Sequence, residues 1–223
     1  MALSLAFDVY GTLIDTSGVT VALQQHAGEQ AGAFARLWRE KQLEYSFRRG
    51  LMRQYEPFTV CTQHALEYAC SFFAIELSEA DKAQLMAAYR TLPAFAEVAD
   101  GLQALKAAGY RMYAFSNGHP DDVENLLLHA DIRDHFLDVI SVHEIQSFKP
   151  DPAVYEHFLQ RTGAQPGEAW LISSNPFDVI GAIAVGMQAA WVKRTPDALF
   201  DPWGIRPTVT VSGLTELPAA LSA

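Results

Sequence analysis

Short apolar runs alternate with amphipathic stretches along most of the chain. The apolar runs have the length of buried strands and cover Leu3–Phe7, Tyr110–Phe115, Leu137–Val142, Ala169–Ser173, Ala189–Val192 and, more weakly, Thr208–Val211. Between most of them, apolar residues recur at helical spacing over Val98–Ala108, Asp121–His129, Pro152–Arg161 and Phe177–Val185. Gly109 and Gly186 directly follow two of these segments and are expected to cap helices. Strands that alternate with helices predict an α/β fold with a doubly wound parallel sheet.

One long stretch interrupts this alternation. Between about Thr16 and Leu92 no segment has the pattern of a strand, and Ser78 with Asp81 is typical of a helix start. Helical periodicity runs through Phe34–Met52, Cys61–Phe73 and Glu79–Tyr89. We therefore predict an all-helical cap, residues 16–92, inserted after the first strand of a core formed by residues 1–15 and 93–223. Such a cap would cover the adjacent edge of the sheet and exclude water from it.

Composition and charge limit the classes of partner. The chain has 223 residues, of which 50% are hydrophobic, and this is enough for one α/β domain with a small insertion. A net charge of −10 repels nucleic acid and anionic membranes, so neither is an expected partner. We find no apolar run of membrane-spanning length and no signal peptide, and we expect a cytoplasmic protein. Cys61 and Cys70 lack the spacing of a metal site and are expected to be free, buried thiols.

Polar clusters follow four of the predicted strands. They are Asp8 with Thr12, Ser116-Asn117-Gly118, Lys149-Pro150, and Ser173-Ser174-Asn175 with Asp178. Each cluster alone is compatible with an ordinary turn, a solvated lysine or a helix N-cap. Because the carboxyl ends of parallel strands meet at one edge of the sheet, their joint occurrence in this order predicts one convergent polar site.

These ordered clusters resemble the motifs of the haloacid dehalogenase superfamily. The cap segment Trp38–Ser46 is similar, more narrowly, to the L-2-haloacid dehalogenases. The resemblance implies a Rossmann-like core of the haloacid dehalogenase type and an enzyme that needs no cofactor and no metal. It also implies hydrolysis of short L-2-haloalkanoates to D-2-hydroxyalkanoates through an ester on Asp8, with inversion at C2. The implied partners are the 2-haloacid substrate, the halide product and a second copy of the chain in a homodimer.

The residues available to bind a metal favour the L-2-haloacid dehalogenases over the phosphatases of this superfamily. Phosphatases of the superfamily carry a second acid two residues after the nucleophile, where this chain has Tyr10. They also carry acidic residues in the fourth motif, where this chain has Ser173 and Ser174. Mg²⁺ prefers several carboxylate oxygens, and only Asp8 and Asp178 remain to supply them. A halide leaves without protonation and needs neither the second acid nor the metal.

The resemblance also assigns roles to individual residues. Asp8 is the nucleophile, Lys149 balances its charge, Asp178 orients Lys149 and the hydrolytic water, and Ser116 with Asn117 binds the substrate carboxylate. The halide cradle consists of Arg39, Asn117, Tyr10 and Phe177. Thr12, Ser173, Asn175 and Tyr155 hold these groups in place, and Leu43 and Phe58 line the pocket around the alkyl group. His119 lies close to the site in sequence and matches no motif.

Alternatives remain open at this point. Arg39 could form a surface ion pair with Glu40 or Glu44, and Phe58 could be an ordinary packing residue. For the whole chain, the alternatives are a Mg²⁺-dependent phosphatase of small molecules and a non-catalytic protein that binds small anions.

Overall fold

A six-stranded sheet forms the centre of the computed structural model, which describes residues 3–222. The strands are β1 (Ser4–Phe7), β2 (Arg111–Ser116), β3 (Asp138–Ser141), β4 (Ala169–Ser173), β5 (Gln188–Val192) and β6 (Val209–Val211). Their order is β3-β2-β1-β4-β5-β6, and every neighbouring pair is parallel. The predicted α/β class is confirmed. The first and last residues of the predicted core range, 1 and 223, lie outside the described residues.

Helices cover both faces of the sheet. Nine helices are seen among the described residues: α1 (Ser17–Ala27), α2 (Ala31–Met52), α3 (Phe58–Phe73), α4 (Glu79–Ala88), α5 (Val98–Ala107), α6 (Pro120–His129), α7 (Pro152–Thr162), α8 (Pro176–Ala184) and α9 (Leu217–Ala220). Leu5 and Phe7 of β1 share a buried cluster with residues of α5, α6 and α9. Ala6 points the other way, into a cluster with residues of α7 and α8. Because both faces are covered, every residue of β1 and β4 is buried.

The cap consists of α1 to α4, and no strand occurs within residues 16–92 of the described chain. The chain leaves and re-enters the core at adjacent points, where the Asp15 N–H donates to the Pro93 carbonyl at 2.9 Å. The Phe95 N–H donates to the Leu13 carbonyl at 3.0 Å. These bonds place the root of the cap beside the loop that carries Asp8. The exact division of the chain into two domains stays a prediction.

Several local signals in the sequence are found in the structure. The Ser78 hydroxyl accepts from the Asp81 N–H at 3.1 Å, and the Asp81 carboxylate accepts from the Ser78 N–H at 3.2 Å, which is the expected capping box. Gly109 and Gly186 adopt φ values of +84° and +86° at helix ends, as a C-cap requires.

The sequence pattern did not predict α1. This helix contains Gly18 and a β-branched run from Val19 to Val21, residues that favour helix weakly. Only Val19 and Leu23 are buried in it, so its apolar stripe is narrow. Packing against α2, a contact that sequence periodicity does not reveal, decides its conformation.

The two thiols behave as predicted. Cys61 and Cys70 are both free and buried. Burial raises the pKa of the Cys61 thiol to about 11, so this side chain is a poor nucleophile at neutral pH. Among residues 3–222, no helix combines the length and the apolar character needed to cross a membrane.

A close backbone contact fixes the C-terminal segment against the core. A Cβ added at Gly101 in α5 would lie 2.5 Å from the Leu214 Cβ and 2.8 Å from the Leu214 carbonyl carbon. Alanine normally favours helix over glycine by about 1 kcal/mol, but forcing the backbone apart costs up to about 3 kcal/mol.

We therefore expect Gly101→Ala to lower the free energy of unfolding by about 1–2 kcal/mol in urea denaturation. Gly167→Ala is the matched control, because a Cβ there meets open space, and it should change stability by less than about 0.5 kcal/mol. A gain in stability from Gly101→Ala would contradict the close contact between α5 and Leu214.

Candidate active site

The loops after β1, β2, β3 and β4 meet beneath the cap around one small cavity of about 10 Å³. Asp8, Asn117, Lys149 and Asn175 each come from a different one of these loops. The complete lining is Asp8, Tyr10, Arg39, Leu43, Phe58, Ser116, Asn117, Lys149, Asn175 and Phe177. Space of this size holds about one water molecule. The structure thus brings together residues distant in sequence and covers them with the cap.

Asp8 is nearly buried and its two carboxylate oxygens differ in their partners. Oδ2 accepts from the Thr12 hydroxyl at 2.9 Å, the Asn175 amide at 2.8 Å and, at 3.4 Å, the Ser173 hydroxyl. Within the described part of the chain, Oδ1 accepts from the Lys149 ammonium alone, at 3.2 Å. The donors on Oδ2 fix the orientation of the carboxylate and leave Oδ1 the freer oxygen.

Lys149 is buried and uses its three ammonium protons on three oxygens. Nζ lies 2.8 Å from the Asp178 Oδ2, 3.2 Å from the Asp8 Oδ1 and 2.9 Å from the Phe115 carbonyl oxygen. Burial alone would lower the pKa of Lys149, but the carboxylates of Asp178 and Asp8 raise it above its ordinary value. The side chain therefore remains an ammonium ion between two carboxylates.

Asp178 lies beneath Lys149, fully buried. Its Oδ1 accepts from the Tyr155 hydroxyl at 2.8 Å, so both carboxylate oxygens have a donor. Burial raises the pKa of Asp178; the Lys149 ammonium lowers it and the negative charge of Asp8 raises it, so that it stays above its ordinary value. Asp178 thus acts on Asp8 through the shared ammonium.

Gly181 permits the contact between Tyr155 and Asp178. A Cβ at position 181 would lie 2.5 Å from the Tyr155 hydroxyl oxygen. Sequence reasoning missed this residue. Its only signal is an isolated glycine inside the apolar segment that forms α8, a position where glycine commonly marks close packing.

The loop after β2 is held by its own hydrogen bonds. Ser116 Oγ accepts from the Gly118 N–H at 3.0 Å, and the Asn117 Oδ1 accepts from the Lys149 backbone N–H at 3.0 Å. The hydroxyl of Ser141, a residue that no motif singles out, donates to the Gly118 carbonyl at 2.6 Å. Ser116 at the end of β2 and Asn117 in the loop after it are therefore fixed against the loop that carries Lys149.

Arg39 reaches the cavity from α2 of the cap. Its guanidinium donates to the Gln42 side chain at 3.3 Å, and among the described residues it forms no ion pair. Glu44, one of the two alternative partners, is 2.6 Å from the Lys41 ammonium and also pairs with Arg48, and Glu40, the other, forms no ion pair among the described residues. The structure therefore does not show the surface ion pair considered for Arg39, and the guanidinium is available to an anion.

Aromatic and apolar side chains complete the walls. Phe177 packs edge-on against Phe47 with ring centres 5.0 Å apart, and Phe58 packs on Phe148 at 6.2 Å. Burial, with Asp122 and Tyr89 nearby, raises the pKa of the Tyr10 hydroxyl far above its ordinary value, so Tyr10 is a neutral phenol. Phe58 both packs in the core and lines the cavity.

His119 is not in the lining of the cavity around Asp8. Its ring lies 4.5 Å from that of His143, and its Nδ1 accepts from the Asp121 N–H at 3.4 Å at the start of α6. These contacts make His119 the N-cap residue of α6.

The donor set fits a bridging ammonium better than a divalent metal. Within residues 3–222, no group of three or more His, Cys, Asp or Glu side chains is arranged to hold a metal ion. The Lys149 ammonium lies between Asp8 and Asp178, the two carboxylates of the site that could serve as ligands of a dication. At the position of a further acid, the Ser174 hydroxyl donates to the Gly11 carbonyl at 2.8 Å.

Removal of the ammonium should destabilise the fold in a pH-dependent way. Breaking a buried ion pair costs about 3–5 kcal/mol, and we expect Lys149→Met to lower the free energy of unfolding by about that amount near neutral pH. Without the cation the pKa of Asp178 rises further, so the folded state binds more protons than the unfolded state and loses stability as pH rises.

The deficit of Lys149→Met should therefore shrink when urea denaturation is repeated at about pH 5 rather than about pH 7. Lys106→Met, at an exposed lysine, should change stability by less than about 0.5 kcal/mol at either pH. A deficit that does not change with pH would contradict the assignment of Lys149 as the charge that the carboxylates share.

Comparison with known proteins places the chain in a family. A family model for haloacid dehalogenase-like hydrolases matches residues 4–186. The (S)-2-haloacid dehalogenase of Pseudomonas sp. (strain YL) is 35% identical over 210 residues, which cover 94% of this chain and 90% of that protein. The haloacetate dehalogenase H-2 of Moraxella sp. (strain B) is 36% identical over 208 residues, 93% of this chain and 92% of that protein.

A solved structure extends the likeness to the fold. The L-2-haloacid dehalogenase from Xanthobacter autotrophicus with chloropropionic acid covalently bound superposes with a TM-score of 0.93 at 31% identity. The match covers 100% of this chain and 99% of that chain. The chain therefore belongs to the haloacid dehalogenase-like hydrolases, in the branch of the L-2-haloacid dehalogenases that its motifs predicted.

Proposed function

We propose that this chain hydrolyses short L-2-haloalkanoates to D-2-hydroxyalkanoates through an ester on Asp8, without a metal ion. The observation that carries the proposal is the Asp8 carboxylate, with one oxygen held by three donors and the other paired to a buried ammonium. The relatives named above, which are dehalogenases of 2-haloacids and of haloacetate, support the substrate class.

In the first step, Asp8 Oδ1 attacks C2 of the substrate in line with the carbon–halogen bond. A carboxylate needs no base to act as a nucleophile. Oδ1 is the attacking oxygen because its single partner is Lys149, whereas Oδ2 already accepts up to three hydrogen bonds. The halide leaves with the bonding electron pair, and C2 inverts.

The departing halide is received at the cap side of the cavity. Arg39 brings a positive charge without an ion pair of its own among the described residues, and a guanidinium suits a diffuse anion. Asn117, Tyr10 and Phe177 complete the cradle, with the phenol of Tyr10 supplying a neutral donor. On the core side, Ser116 and the backbone N–H groups near Asn117 bind the substrate carboxylate.

In the second step, water attacks the Asp8 carbonyl carbon and negative charge develops on Oδ2. The donors already directed at Oδ2, from Thr12, Asn175 and Ser173, stabilise that charge without reorganisation. The bond between the acyl carbon and Oδ1 then breaks, and Oδ1 leaves as the alkoxide of the product, which takes up the proton that the attacking water gave up. The hydroxyacid departs, and Asp8 returns to a carboxylate by releasing the second proton of that water to solvent. We assign the proton of the attacking water to Asp178, the carboxylate that the Lys149 ammonium bridges to Asp8.

The cap supplies protection from solvent during both steps. The free space beside Asp8 is about 10 Å³, less than a haloacid occupies, so the cap or the lining side chains must move to admit substrate. Closure over the bound substrate then removes water from the nucleophile and strengthens its electrostatic contacts. A homodimer and a cytoplasmic location stay predictions of the sequence.

The side chains give little support to a Mg²⁺-dependent phosphatase. Tyr10 stands where such an enzyme has its acid, and burial keeps its hydroxyl protonated. The ammonium of Lys149 binds both carboxylates that a magnesium ion would need.

The reaction should run in EDTA and distinguish enantiomers. With racemic 2-chloropropionate, we expect chloride release to stop at about half of the substrate, because only the L enantiomer is consumed, with D-lactate as the product. Chiral chromatography of product and residual substrate measures both. Phosphate release from phosphomonoesters that depends on Mg²⁺, or lactate of retained configuration, would contradict the proposal.

Asp8→Asn should lower kcat by at least about a thousandfold, because it removes the attacking oxygen anion. Asp121→Asn is the matched control at an exposed aspartate and should retain the activity. Halide release is measured by ion chromatography, and circular dichroism shows whether each variant is folded. Full turnover by a folded Asp8→Asn protein would rule out Asp8 as the nucleophile.

A further inference from the structure

A second and larger cavity adjoins the one that contains Asp8. It has a volume of about 360 Å³ and lies between α3 and α4 of the cap and the start of α6 in the core. Tyr10, Arg39 and Phe58 line both cavities, so these side chains form the partition between them. None of the roles derived above uses this space.

One face of α4 forms a wall of the larger cavity. Its lining positions include Lys82, Ala83, Met86 and Ala87, a spacing that places them along one side of a helix. The two alanines leave room that larger side chains would fill. Leu85, on another side of the same helix, is buried in the core. Ala83 and Ala87 are both exposed, so the cavity opens to solvent along this side of α4.

Apart from Arg39, the charged side chains that line this cavity are paired with one another. The Lys82 ammonium lies 2.7 Å from the Glu79 carboxylate, and the Arg90 guanidinium lies 3.2 Å from the Asp122 carboxylate. Because Arg39 is assigned to the halide, these pairs leave no other unpaired cation in the described lining to hold a second anionic group. Apolar atoms of Phe58 and Met86 remain to contact an uncharged occupant.

The partition can open on the side of Arg39. Its guanidinium has a single side-chain hydrogen bond, to Gln42 at 3.3 Å, and no ion pair among the described residues. Phe58 is more restrained, because it packs on Phe148 and is buried. Tyr10 packs edge-on against Tyr89 at 6.3 Å. A substrate that draws Arg39 towards its halide would connect the two cavities.

We propose that the larger cavity binds the alkyl chain of longer L-2-haloalkanoates while their carboxylate and C2 stay beside Asp8. This inference rests on the proposed function and extends its substrate class from short acids to those with a linear chain of about four carbons on C2. The chain passes Phe58 and lies against Ala83, Met86 and Ala87.

Two substrates with one leaving group test this subsite. The wild-type protein is compared with the double variant Ala83→Leu, Ala87→Leu on L-2-bromopropionate and L-2-bromohexanoate. Leucine is a good helix former, so the variant fills the cavity without disfavouring α4. Gln84→Leu is the matched control, an exposed position on the same helix outside the lining.

The wild type should turn over both substrates. Since each buried methylene is worth about fourfold in binding, the double variant should lose about tenfold or more in kcat/KM on bromohexanoate and stay within about twofold on bromopropionate. Gln84→Leu should match the wild type on both. The retained activity on bromopropionate also shows that the double variant is folded.

Other outcomes overturn the subsite. If the double variant loses kcat/KM equally on both substrates, the cavity is a shared entry route. If its kcat/KM on bromohexanoate equals that of the wild type, the alkyl chain lies elsewhere. If the wild type turns over bromopropionate but not bromohexanoate, the subsite is contradicted and the proposed function is unaffected. Failure of the wild type on both substrates would instead contradict the proposed function.

Discussion

The site depends on one buried ammonium that two carboxylates share. Burying Asp8 and Asp178 together would be costly without a cation, because two like charges in a water-poor region repel each other. Lys149 neutralises both carboxylates, and its ammonium donates a third hydrogen bond to the carbonyl of Phe115 near the end of β2. The loop after β3 is thereby tied to the ends of β1, β2 and α8. Loss of this contact would therefore affect the fold and the chemistry together.

The parallel sheet makes this arrangement possible. Register aligns Phe7 of β1 with Ala114 of β2 and Ile172 of β4, so the residues that follow each strand emerge at one edge. Hydrogen bonds among the loops then set the distances: Ser173 and Asn175 reach Asp8, and Asn117 accepts from the backbone of Lys149. The cap contributes Arg39 and apolar cover. The core thus holds the nucleophile in position, and the separate cap controls the access of substrate.

The sequence was informative where local pattern and chemistry agree. Alternating strands and helices predicted the sheet, and ordered polar clusters predicted that Asp8, Lys149 and Asp178 converge. Contacts between distant elements left no such pattern. Gly181 matters only because the Tyr155 hydroxyl lies where its Cβ would be, and Ser141 only because it reaches the Gly118 carbonyl. Helix α1 was missed because tertiary packing overrides its weak helical propensity.

The central claim is that Asp8, rather than water, forms the first bond to C2. Single-turnover hydrolysis in H₂¹⁸O, with excess enzyme and mass spectrometry of both the product and the peptide containing Asp8, tests it directly. The heavy oxygen should enter the Asp8 carboxylate, and the hydroxyacid of the first turnover should carry ordinary oxygen. Heavy oxygen in that first product, with an unlabelled Asp8, would mean that water attacks C2 and would contradict the account.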